Sequence, residues 1–156
     1  MNVFVTSKCP IECAKYLDTK RVSKMTLESA QLLSAAMRKH GYEGDGVYKI
    51  SHENHPSSIW ARETRGNYEW LLAHFKALAE EYYARRGHWH KSFVELYETL
   101  SEGAELIPEG ELTPFANCAA NESKGVSYKH LEDTHMAYKL YLEDRWTTDV
   151  REPVWT

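Results

Sequence analysis

The chain lacks any run of about 18 apolar residues, so no membrane-spanning helix is expected. Its first ten residues, MNVFVTSKCP, lack the basic and long apolar regions of a secretory signal. Cysteine is scarce. Cys9, Cys13 and Cys118 are the only three, an odd count without framework spacing, which predicts reduced thiols in a cytoplasmic setting. Basic charge is also short: the net charge is −4 and the pI about 6.1. That argues against a sequence-blind DNA binder, which needs a basic footprint, but leaves room for a local basic pocket. The motifs of strong catalytic sites are missing too. There is no glycine-rich phosphate loop, no GxSxG, no HExxH, no paired CxxC and no HxH…D set. No cofactor and no metal site are therefore expected, although His52 and His55 stand three apart.

What remains is an ordinary globular composition. The 156 residues suit one domain and a real core, with 42% apolar and 27% charged residues. Aromatics are plentiful, with five Trp and ten Tyr. Such rings build cores and can stack on bases. No internal repeat or low-complexity segment occurs. Residues 2–5 read as a short extended arm. Pro10 suits the first turn of a helix over 10–18. Helical spacing of Met25, Ser29, Leu32, Leu33, Ala36 and Met37 predicts a second helix over 22–40, stopped by Gly41.

Residues 41–56, rich in glycine and polar side chains, read as a loop. Ser57 or Ser58 is expected to cap the next helix, and Asn67 the long one that ends at Gly87. A helix over 90–101 with Phe93, Val94, Leu96, Tyr97 and Leu100 inward follows, then a loop over 102–112. Thr113-Pro114 predicts a short helix through Ala119. The last helix is placed at 127–145, packed through Met136, Leu140 and Trp146, with the terminal Trp155 docked. The expected fold is all-α: a compact single-domain bundle of six or seven helices with a short N-terminal arm.

Three groups of side chains are unusual for helices that only pack. Arg21, Lys24, Glu28 and Gln31 follow each other at spacings that share one face. Lys24 or Arg21 could hold a phosphate, with Glu28, or Asp18 as second choice, as general acid/base. The same stripe also reads as a solvated face with one ion pair. His55, Trp60, Arg62, Asn67, Trp70 and His74 form a second group. Indoles stack on bases, Arg pairs with phosphate and Asn reads a base edge, yet each could equally be a core residue. His88, His90, Lys91 and Ser92, after Gly87, suit an anion at a helix start or a plain capping turn. Joined, the groups predict a polar interhelical pocket for a nucleotide or a nucleic-acid base.

The strings DTKRVSKMTLESAQLL, NHPSSIW, NYEWL, HKS and TPFA resemble a family of small proteins of tailed phages, over nearly the whole chain. More distantly, the order of arm, CAKYLDTKR helix, long EEYYARRG helix and aromatic REPVWT tail resembles pyrimidine-dimer DNA glycosylases of the endonuclease V type. That resemblance implies a small all-α enzyme that attacks the sugar C1′ with its N-terminal amine, assisted by a Glu near the end of the first helix. This sequence departs at both points. Asn2 predicts that Met1 is retained, and the matching helix offers Asp18 but no Glu. The expectation is a phage-type nucleotide- or DNA-base-binding protein, glycosylase-like if an enzyme. Its alternative is a non-catalytic binder that sequesters a host nucleotide signal or inhibits a host protein. The partner is then a nucleotide, a nucleic acid or a host protein.

Overall fold

The computed structural model describes residues 2–156, so the expectation that Met1 is retained lies outside the described residues. Among the described residues there are six α-helices: α1 (Pro10–Tyr16), α2 (Thr19–Lys39), α3 (Pro56–Glu63), α4 (Arg65–Arg86), α5 (Lys91–Glu102) and α6 (Thr134–Thr148). The all-α expectation is met, apart from a two-stranded antiparallel hairpin of β1 (Ala120–Asn121) and β2 (Val126–Ser127). No helix among the described residues is long and apolar enough to cross a membrane.

The centre of the fold is α2. It packs against α3, α4 and α5 and buries Val22, Met25, Leu32, Leu33, Ala36 and Met37. Each large aliphatic side chain so removed from water contributes about 2 kcal/mol. Helix α4 lies against α1, α2 and α3, burying Tyr68, Leu71, Phe75 and Leu78. Gly87 ends α4 in the left-handed conformation that glycine adopts without steric cost, at φ 81°. Gly66 has another reason to be glycine: a Cβ there would stand 2.5 Å from the Leu112 nitrogen.

Several boundaries differ from expectation, each for a local reason. The cap of α3 is His55, whose Nδ1 accepts the Ser57 N–H at 3.1 Å, rather than Ser57 or Ser58. The cap of α4 is Thr64, whose hydroxyl accepts the Asn67 N–H, so Asn67 lies inside the helix. Asp133 caps α6, later than predicted, because Val126 and Ser127 are drawn into β2. The helix expected over 113–119 does not form. The Thr113 N–H goes to Asn67 Oδ1 and its carbonyl accepts from the Trp60 indole, so long-range bonds replace helical ones. Val94 and Met136 are exposed rather than inward. Residues 103–106 make a 3₁₀ turn inside the predicted loop.

Four arginines fix the connections by donating to backbone carbonyls. Arg38 holds Gly44, Val47 and Tyr48. Arg62 holds Glu53, and Arg65 holds Ala104, Glu105 and Ile107. Arg85 holds Lys15 and Leu17. A guanidinium with five donors can satisfy several loop carbonyls at once.

Candidate active-site cleft

The N-terminal arm is buried through Val3, Phe4 and Val5, and its start is tied down. Tyr138 donates its hydroxyl to Asn2 Oδ1 at 2.7 Å, Asn2 Nδ2 reaches the Cys118 carbonyl, and the Cys118 N–H donates to the Tyr138 hydroxyl. Beside this knot opens a cleft of about 530 Å³. His55, Cys118, Glu122, Lys129, Tyr141 and Arg145 are on its walls. Helix α3 contributes its cap residue, the hairpin one wall and α6 the other.

Phe4 stacks on Tyr141, with centroids 5.9 Å apart and planes 22° apart. The Arg145 guanidinium lies 6.0 Å from the same tyrosine ring and donates to its hydroxyl at 3.4 Å. Lys129 pairs with Glu122 at 3.2 Å on the rim. Because His55 Nδ1 accepts the Ser57 N–H, the neutral ring carries its proton on Nε2. Burial lowers the pKa of His55, with His52 and Lys129 acting in the same direction and Glu28 opposing them. A donor, two cations and an aromatic ring therefore share one cleft, with a carboxylate whose charge reaches it.

That carboxylate is Glu28, on α2. It is buried, at 9% exposure, and its Oε2 lies 4.0 Å from the ammonium of exposed Lys24. Asp18 is held differently. Its Oδ1 accepts from Arg21 at 3.2 Å and from the Trp146 indole at 2.8 Å. Arg21 also makes a two-pronged contact with Asp149, at 2.9 and 3.3 Å. Asp18 and Arg21 thus join the start of α2 to the end of α6, and neither is on the walls of the His55 cleft. Gln31 is half-buried one turn beyond Glu28.

The second predicted group separates. Buried Trp60 and Trp70 form an aromatic cluster with half-buried Phe115, with centroids 4.9 to 6.1 Å apart. Trp70 donates its indole N–H to the Lys8 carbonyl. Asn67 spends its amide on Trp60 and Thr113. His74 is buried and bonds Pro10 through Nδ1 at 3.0 Å; burial lowers its pKa to about 4, against the effect of that bond. Arg62 is committed to Glu53. Only His55 of that group lines the cleft. His90 caps α5 by accepting the Ser92 N–H, and Lys91 is exposed and 3.8 Å from Glu95.

Lys129, Tyr141 and Arg145 had no signal in the sequence, because the hairpin and α6 bring them to the cleft. Cys118, expected as a buried thiol, is half-buried on its wall. All three cysteines are free.

A cleft lined by a histidine, two cations and an aromatic ring, with a buried carboxylate on α2 whose charge acts on that histidine, suits acid/base work on a phosphate-bearing substrate. The model of the family described as pyrimidine dimer DNA glycosylase matches residues 1–96, and the chain belongs to that family. No curated protein and no solved structure matches it.

Proposed function

We propose that this protein is a DNA glycosylase acting on pyrimidine dimers, with Glu28 as its general acid/base carboxylate. The observation that carries the reading is the position of Glu28. It is the buried carboxylate of α2 whose charge reaches His55 at the cleft, next to the knot that anchors Asn2. Asp18, by contrast, is committed to Arg21 and Trp146. Cleaving a glycosidic bond builds oxocarbenium-like charge at the sugar, which a nearby carboxylate stabilises. A base inside a duplex must first leave the stack. In this reading His55 Nε2–H donates to a base or sugar oxygen, and Lys129 and Arg145 offer cations to phosphates.

The deciding experiment incubates the protein with duplex DNA carrying a pyrimidine dimer and measures base release. Glu28→Gln should abolish release while leaving the melting temperature and DNA binding near those of the parent. Undiminished release by that variant overturns the assignment. Borohydride added during turnover separates two routes. Amine attack at C1′ gives an imine that is reduced to a stable protein–DNA adduct. Direct attack by water leaves no adduct.

A further inference from the structure

Helix α4 turns one face to solvent. Ala73, Lys76, Glu80 and Tyr83 follow each other at spacings that share a helix face, and all four are exposed. Two grooves flank this line. The groove toward α1 measures about 570 Å³, with Pro10, Ile11, Lys15, Ala77 and Glu81 on its walls. It follows α4 because Trp70 and His74 bond the Lys8 and Pro10 carbonyls, and Arg85 those of Lys15 and Leu17, which lays α1 parallel to α4. The groove toward α5 measures about 420 Å³, with Glu69, Leu72, Tyr97 and Ala104 on its walls. Ala73 and Lys76 border both grooves.

Large apolar side chains stand open to water here. Ile11 on the groove rim is 54% exposed, and Tyr83, at 46%, lies against Trp89, at 42%, with centroids 4.6 Å apart. Exposed apolar surface rimmed by polar groups marks an interaction site, and aromatic rings are enriched at such sites. The charges balance. The groove walls carry Lys15 and Lys76 against Glu69, Glu80 and Glu81, and Glu81 pairs with Arg85 at 3.1 Å. Arg86, at the end of the helix, borders a different groove, between α2 and the tail. Two copies of this face therefore do not repel, although the whole chain carries −4.

The pattern is also symmetric about a point. Lys76 and Glu80 stand two places either side of residue 78, and Ala73 and Tyr83 five places either side of it. When two copies of a helix pack antiparallel about a twofold axis at that level, residues equidistant from the centre face each other and every contact occurs twice. Lys76 then meets Glu80 of the second copy. In the same register Tyr83 comes over Ala73 of the second copy, in the gap where the two grooves meet. Charge and size are thus complementary in one arrangement. The ion pairs, being exposed, set the register more than the strength.

We propose that the outer face of α4 is a self-docking surface, on which a second copy of this chain packs antiparallel with Lys76 against Glu80 and Tyr83 over Ala73. The proposal is independent of the cleft reading, because none of these four residues lines the His55 cleft.

Sedimentation equilibrium from micromolar to millimolar protein tests it. The mass of the parent should rise from 18.1 kDa toward twice that value. Lys76→Glu sets like charges against each other at both pairs across the axis, and Glu80→Lys does the same with the opposite sign. Each alone should weaken self-association roughly tenfold, although they move the net charge in opposite directions. Mixed in equal amounts, the two variants should regain it, because every facing pair is again of opposite charge. Ala73→Gln, which fills the gap without adding charge, should also weaken self-association. Circular dichroism should show parent-like helix content and melting in all three variants.

A parent that stays at 18.1 kDa throughout overturns the self-docking surface. So do single reversals that associate as the parent does, a mixture that recovers nothing, or a parent that forms complexes only with another protein. Base release per cleft should be equal in the parent and Lys76→Glu. No release by either, with self-association and its recovery intact, removes the glycosylase reading and leaves the docking surface standing.

Discussion

Asn67 and Thr113 exchange hydrogen bonds. Asn67 Oδ1 accepts the Thr113 N–H at 2.8 Å while Asn67 Nδ2 donates to the Thr113 hydroxyl at 2.7 Å. A third bond runs from Nδ2 to the Trp60 carbonyl at 2.9 Å. The pair joins α4 to the irregular segment that carries Phe115 of the aromatic cluster, 46 residues along the chain. Asn67→Ala should cost about 3 kcal/mol, because the half-buried Thr113 N–H and the buried Trp60 carbonyl lose their partner together. Chemical denaturation reads this loss, and a change below about 1 kcal/mol would show that water replaces the amide.

Arg21 neutralises two carboxylates at the junction of α2 and α6. Its side chain is 7% exposed, that of Asp18 2% and that of Asp149 10%. Arg21→Ala leaves both acids without their cation in a poorly solvated place, and should destabilise by about 3–5 kcal/mol. Asp18→Asn should also lower the melting temperature but, unlike Glu28→Gln, should leave base release measurable in the folded protein. Complete loss of release in well-folded Asp18→Asn would transfer the catalytic role to Asp18.

His74 predicts an acid-sensitive fold. Burial lowers its pKa from 6.5 to about 4, so between those values the unfolded chain binds a proton that the folded one does not. Stability from this group is fully present above pH 6.5 and declines as pH falls toward 4. A shift of this size is worth on the order of 3 kcal/mol. Denaturation midpoints across that range should fall in the parent. They should fall less steeply in His74→Gln, whose side chain cannot acquire a charge.

His55 caps α3 only while Nδ1 is unprotonated. Its lowered pKa keeps it so at neutral pH, and the contribution present above its ordinary pKa is lost as pH falls through the lowered one. His55→Asn should retain the cap and lose the Nε2–H donor, whereas His55→Ala should lose both, with about 1 kcal/mol of stability gone. Thermal melts read the cap, and base release reads the donor. Equal stability of the two variants would show that the cap contributes nothing measurable.

Helical spacing made α2 legible: Met25, Ser29, Leu32, Leu33, Ala36 and Met37 are all buried as their positions predicted. Glu28 stood out because a carboxylate on that helix is costly unless it has work or a partner. The apparent pocket of Trp60, Asn67, Trp70 and His74 is another matter. Their stripe was visible, but in the fold Trp70, His74 and Asn67 bond to Lys8, Pro10 and Thr113 respectively. Those partners stand 62, 64 and 46 residues away. No periodicity within one segment reports such bonds.

Local chemistry, acting over a few residues, therefore determined the helices, the stop at Gly87 and the polar character of α2. Tertiary structure decided which polar residues share a cleft. It brought Asn2, His55, Cys118 and Arg145 to one place because long-range hydrogen bonds and ring stacking outweigh the local preference of residues 113–119 for a helix. It also placed Lys129 and Arg145 on one cleft of an acidic chain, a property of positions in space that net composition averages away.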